Sequence, residues 1–182
     1  MTVIIIIAIV AVLVLWVISV QRKLVKQEEI CKNGLSQIGV QQSSRWDALK
    51  ALAEQTKSYS EFEYKTLTDT IAQRRPITAG STPADANAQE ALFNKAMSAL
   101  NVVFERYPEL KTNELVSKTM DSINMYTNQV RTSQMVYNDS VTNYNRLIRQ
   151  FPDSIVASLF HFLQRDYLQV SEGKTEIPSM KF

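Results

Sequence analysis

The sequence predicts an all-α chain: an N-terminal transmembrane helix continuing into an antiparallel, up-and-down four-helix bundle of two long and two shorter helices. Three observations predict it. Val3 to Val20 reads VIIIIAIVAVLVLWVISV, an apolar run whose one polar side chain is Ser19. Helix breakers are scarce, with Gly 4 and Pro 5. Between them, apolar residues recur at spacings of three, four and seven, and no alternation marks a hairpin.

The apolar run comes first. As a helix, Val3–Val20 spans roughly 27 Å, close to the hydrocarbon thickness of a bilayer. A lone strand would leave its backbone groups unpaired in lipid, so helix is the form it takes. Met1 and Thr2 carry no basic side chain, and Ser19-Val20-Gln21 offers no A-x-A site. The span is therefore read as an uncleaved anchor, residues 1–20. Arg22, Lys23, Lys26 and Lys32 follow it and no Lys or Arg precedes it. Basic residues stay on the cytoplasmic side, so the expected topology is single-pass in the inner (cytoplasmic) membrane, N-terminus out, bundle in the cytoplasm. Arg22, Lys23 and Lys26 would also lie against an anionic leaflet.

Residues 21–168 are assigned to the bundle. The first cytoplasmic helix, about 21–58, leaves the membrane without a break, since Gly34 and Gly39 cost only ~1 kcal/mol each. Its apolar face is Leu24, Cys31, Leu35, Ile38, Trp46, Leu49, Leu52 and Ala53. The second, about 60–75, opens on a Ser60/Glu63 capping box, places Phe62, Leu67 and Ile71 inside, and ends at Pro76. The third, about 86–106, places Ala88, Leu92, Phe93, Ala96, Leu100, Val103 and Phe104 inside and stops at Pro108. The fourth, about 112–150, carries the clearest pattern. Ile123, Val130, Tyr137, Tyr144 and Phe151 lie seven apart, with Met120, Val141 and Ile148 on the complementary seam. Such spacing predicts a long helix crossing its neighbours at a shallow left-handed angle. Asn138 and Asn145 each adjoin a core Tyr and read as amides that fix register between helices. Residues 169–182 form a tail.

Composition excludes several functions. Lys plus Arg number 20 against 18 Asp plus Glu, so no basic excess holds nucleic acid. Cys31 is the single cysteine and His161 the single histidine, which excludes internal disulfides and zinc clusters. Cys31 reads as a buried core residue, with palmitoylation the alternative. No phosphate-binding glycine loop and no nucleophile elbow are present. No catalytic, cofactor-binding or metal-binding residue is expected, and the chain reads as non-enzymatic.

Tyr137-Asn138, Val141, Tyr144-Asn145, Ile148, Phe151-Pro152 and Ala157 resemble the YN-x-x-V-x-x-YN-x-x-I-x-x-FP-x-x-x-x-A signature of the LemA family. Tyr107-Pro108-x-Leu110-Lys111 resembles that family's YPxLK turn. Where the family has R-R-Y-D-L-I-P-N-L, this chain has Ser44 to Leu52 without the proline. The resemblance implies a single-anchor bacterial membrane protein with a helical-bundle domain and no established enzymatic activity. It also implies a relation to membrane organisation or to neighbouring membrane proteases.

Two non-catalytic functions follow. The first is a structural scaffold that self-assembles on the membrane, with membrane lipid and further copies of itself as partners. The second is an adaptor presenting the bundle to a membrane protease or sensor. Self-assembly needs an apolar surface outside the core. Phe160, His161, Phe162 and Tyr167, together with Leu163 and Leu168, are the candidate interface.

Overall fold

In the computed structural model, which describes residues 1–59 and 61–169, the apolar segment and the helix expected to follow it are one element. α1 runs from Thr2 to Thr56, 55 residues, or roughly 83 Å of unbroken helix. Its first part is apolar enough to cross a membrane, with a mean hydropathy of 3.4 over an 18-residue window. From Leu24 onward one face turns inward: Leu24, Cys31, Leu35, Ile38, Leu49, Leu52 and Ala53 are all fully buried.

α2 (Glu61–Ala72), α3 (Pro83–Arg106), a 3₁₀ turn (Pro108–Thr112), α4 (Glu114–Arg149) and α5 (Asp153–Leu159) complete an all-helical structure. Among the described residues there is no strand. α4 lies along α1 in opposite register. Gln27 meets the Ser140 carbonyl, Gly34 meets Tyr137, and Gln55 meets Thr119. α2 and α3 pack chiefly on each other and on the distal half of α1.

Several boundaries differ from the sequence reading, for local reasons. α3 starts before Asp85, because Thr82 is its N-cap. The Thr82 hydroxyl accepts from the Asp85 amide, and the Asp85 carboxylate accepts from the Thr82 amide. Pro83 then occupies the first helical position, where no amide is needed. The Asp85 carboxyl is held below its usual range by hydrogen bonds donated first by the Thr82 hydroxyl, at 2.7 Å, and then by the Thr82 amide, at 2.8 Å. Ser60 of the expected capping box lies outside the described residues, and Glu63 pairs with Arg106 on α3. Phe62 is 78% exposed rather than inside, because the inner face of so short a helix is filled by Leu67 and Ile71. Residues 153–159, unassigned to a helix in the sequence, form α5 after the turn at Phe151-Pro152.

The core falls into two clusters. The proximal one, nearer the N-terminal apolar segment, joins Leu24, Cys31, Leu35 and Ile38 of α1 to Tyr137, Val141, Tyr144 and Ile148 of α4, and takes in Val156 and Ala157 of α5. The distal one joins Trp46, Leu49 and Leu52 to Phe93, Leu100 and Phe104 of α3 and to Val116 and Ile123 of α4. Between them, along α1, lie the buried Gln42 and Arg45, and along α4 the buried Gln134. Arg45 is 1% exposed. Its guanidinium forms a bidentate pair with Glu90 at 3.0 and 2.5 Å and sits 3.9 Å above the Phe93 ring. A charge this deep persists only when paired and hydrogen-bonded.

Gly39 has a specific reason to be glycine. A Cβ there would stand 1.8 Å from the Ile77 carbonyl oxygen, so the 73–82 loop lies directly on the α1 backbone.

Candidate functional site

The densest polar chemistry sits on the proximal half of α4, where Tyr137-Asn138 and Tyr144-Asn145 repeat after seven residues. Two helical turns return a side chain to nearly the same face. Both tyrosine rings therefore enter the core, at 0% and 1% exposed. Tyr137 fits because it packs on Gly34 of α1, where a Cβ would come within 3.2 Å of its ring.

The adjacent asparagines emerge at the rim of that seam and grip the chain's own segment 162–169, a strap without helix or strand. Asn138 Nδ2 donates to the Leu168 carbonyl at 3.0 Å, and its Oδ1 accepts from the Leu168 amide at 2.9 Å. Asn145 makes the same pair of bonds with Arg165, both at 2.9 Å. A side-chain amide carries the same donor and acceptor as a peptide group, so each asparagine behaves like a short piece of strand edge. The periods also agree. Seven helical residues rise about 10.5 Å, and three extended residues from Arg165 to Leu168 cover about 10 Å.

Other contacts fix the strap's direction. The Tyr137 hydroxyl donates to the Asp166 carbonyl at 3.2 Å. Arg165 pairs with Glu28 of α1 at 2.9 Å, and its guanidinium lies 5.9 Å from the Tyr144 ring centre. Leu168 enters the proximal core at 3% exposed. Burial pushes the Tyr137 and Tyr144 hydroxyls and the Cys31 thiol above their usual ranges, with nearby Arg165 opposing it. Held largely through its backbone, the strap adds side-chain contacts from Phe162, Arg165 and Leu168.

The other residues singled out in the sequence distribute as follows. Asn138 and Asn145 bind the strap backbone rather than another helix, because the strap fills the rim beside α4. Phe151 is 77% exposed and does not extend the Tyr137/Tyr144 seam. α4 ends at Arg149, so the seven-residue count no longer fixes its face. Pro152 makes a cis peptide with Phe151 and precedes α5. Tyr107 is half-buried, packs its ring 5.8 Å from Tyr59, and leads into the 3₁₀ turn opened by Pro108.

The aromatic patch divides. Phe160 and Tyr167 are 49% and 51% exposed, Phe162 is half-buried against the proximal core, and Leu168 is not surface at all. His161 is exposed with φ 58°, an uncommon conformation for a residue with a Cβ, and directs the chain from α5 into the strap. Phe160 to Asp166 line one wall of a cleft of about 630 Å³, opposite Glu28, Lys32 and residues 79–83. Arg22, Lys23 and Lys26 are exposed just beyond the span, with Lys23 Nζ 3.0 Å from the Asp153 carboxylate. Cys31 is buried and free. Among the described residues no three His, Cys, Asp or Glu side chains come together in a way that could hold a metal.

Sequence reasoning found the YN pair but not what it holds. The signal was present: an asparagine repeated at a helical period beside a buried tyrosine marks a rim position, where amide groups need a partner.

A family model described as the LemA family matches residues 34–182, and so covers the strap and both YN pairs. The chain is also similar to Protein LemA of Metamycoplasma hominis, 24% identical over 156 residues, covering 84% of this chain and 70% of that protein. With most of its length matched by the family model, the chain belongs to the LemA family.

Proposed function

We propose that this protein is a non-enzymatic, membrane-anchored scaffold that self-assembles in the plane of the inner membrane, with the bundle in the cytoplasm. The observation that carries the reading is the continuity of α1 from Thr2 to Thr56. A linker would let the bundle tumble. A single helix clamped along its second half by α4 fixes the bundle's tilt to the bilayer. Copies confined to two dimensions then meet in a repeated orientation, and confinement raises their effective concentration so that a modest surface suffices. The fold is read as an up-and-down bundle in which α1 and α4 form the rod and α2 and α3 thicken its distal end.

The surface assigned to the contact is the exposed part of the 160–167 patch, with Phe160 and Leu163 at its centre and His161 beside them. Repetition of one heterologous contact gives a ring if the rotation closes and an open array if not. Sizing the intact protein across mild detergents tests this. The expected result is large particles that disperse on Phe160→Asp while helix content and melting stay at parental values. A monodisperse monomer at every concentration would refute self-assembly and leave the bundle as an adaptor for a membrane protease or sensor. Orientation is checked by an impermeant thiol reagent at Met135→Cys, an exposed position, since Cys31 is buried. Labelling in intact cells would overturn the cytoplasmic placement.

A further inference from the structure

From the geometry of α5 we infer that this short helix is a second membrane contact, lying in the lipid interface beside the anchor with Phe151, Ile155 and Leu159 facing the acyl chains. The inference rests on the anchor reading and specifies how the bundle meets the bilayer.

The first argument is length. Val3 to Leu15 is exposed throughout, but Trp16 and Val17 are partly covered and Val20 is 5% exposed, packed into the proximal core. Thirteen exposed residues rise only about 20 Å, short of the ~30 Å hydrocarbon core. A span beginning at Thr2 and crossing ~30 Å ends near residue 21. The bilayer boundary therefore falls on a part of α1 that already carries bundle. The bundle does not stand on a stalk above the headgroups, and whatever packs on Trp16 to Val20 is at the depth of lipid.

That packing partner includes α5. Val156 and Ala157 belong to the same buried cluster as Val20, with Trp16 and Val17 against it. Asp153, at the start of α5, is tied to Lys23 at 3.0 Å. α5 thus meets α1 at the level of Lys23, in the cluster that also takes in Val20. Its inner face, Val156 and Ala157, is spent on the core, and its exposed positions are Ile155, Ser158 and Leu159. Ile155 and Leu159, spaced by four on α5, are 57% and 65% exposed, and Phe151 in the turn before α5 is 77% exposed. Large apolar groups exposed together next to the apolar segment mark a contact surface.

Charge completes the match. From Arg146 to Leu159 the one acidic side chain is Asp153, paired with Lys23, while Arg146 and Arg149 on α4 and Arg22 and Lys26 on α1 are all exposed. An apolar surface accompanied by cations suits an anionic lipid surface and is the pattern of helices that lie in the interface plane.

Nitroxide depth measurements on the full chain in phosphatidylcholine–phosphatidylglycerol vesicles test it. Labels are placed by Ile155→Cys and Leu159→Cys, with Leu13→Cys in the span and Phe62→Cys at the distal end as references. Cys31 is replaced by Ala, or retained if that variant melts early, because it is buried and does not react in the folded state. The expected result is that labels at 155 and 159 collide with oxygen and lose collisions with a water-soluble nickel chelate, as at 13 and opposite to 62. Nickel access at 155 and 159 with lipid exposure at 13 would overturn the α5 contact and leave the anchor standing. Nickel access at 13 as well would overturn the anchor and this contact together. Shielding from both agents with spin–spin broadening would mean that a second copy covers α5, which also overturns it.

Discussion

Removing the Asn138 amide by Asn138→Ala breaks both hydrogen bonds that hold the Leu168 backbone, at 3.0 and 2.9 Å. At about 1 kcal/mol net per bond, strap docking weakens by about 2 kcal/mol, roughly a thirtyfold rise in the undocked population. Leu168 is buried, so its amide and carbonyl gain no water while the strap stays docked, which pushes the loss toward the upper end. Amide hydrogen exchange of the intact protein reads this residue by residue. The Leu168 amide should exchange roughly thirtyfold faster, and the Arg165 amide, held by Asn145, should follow as the strap lifts. The Leu49 amide in the distal core should not change. Asn138→Asp keeps the acceptor and loses the donor, so its effect should be smaller at the Leu168 amide than that of Asn138→Ala. An unchanged Leu168 exchange rate in Asn138→Ala would refute the idea that paired asparagines hold the strap.

Tyr144→Ala should cost about 3–5 kcal/mol in thermal or denaturant melts, as for other large buried aromatics, whereas Phe151→Ala should stay within about 0.5 kcal/mol in detergent. Gly39→Ala places a methyl group on the Ile77 carbonyl and should destabilise by about 1–3 kcal/mol, where an exposed helical glycine would gain from the same change. Arg45→Met leaves Glu90 beside the apolar Phe93 without its cation and should cost about 3–5 kcal/mol, with Arg45→Met plus Glu90→Leu recovering much of it in the same melts. Burial raises the folded-state pKa of Tyr137, Tyr144 and Cys31 above usual values of 10.0, 10.0 and 9.0. The folded state then holds protons that the unfolded chain releases, so stability is complete below pH 9 and falls as pH rises through and beyond 9–10. Melts across that range check it, and Tyr144→Phe should reduce the slope.

Period and polarity were legible in the sequence wherever a helix was long. The inward face of α1 from Leu24 to Ala53 and the Tyr137/Tyr144 seam of α4 follow from spacing alone, because each turn repeats the same constraint. Signals at element ends were weaker. Thr82-Pro83-Ala84-Asp85 is a capping sequence, but it sits in a polar stretch that resembles a loop until the cap hydrogen bonds are seen. Phe62 and Phe151 are large and apolar in sequence and exposed in the fold, since periodicity does not say how many helical faces find a neighbour. The candidate site was half visible: the two YN pairs were evident, the strap they hold was not.

By itself, the sequence determined that the chain is helical, that it begins with a segment able to cross a membrane, and which positions face inward along the long helices. These are local properties, set by hydrophobicity and the 3.6-residue turn. Only the tertiary structure decided that Gly39 admits a carbonyl, that Arg45 is buried with Glu90, that Asn138 and Asn145 hold the backbone of Leu168 and Arg165, and that α5 packs beside the end of the span. Each of these joins residues from 20 to more than 130 positions apart. Such contacts depend on how the helices pack side by side, and no window of sequence contains that information.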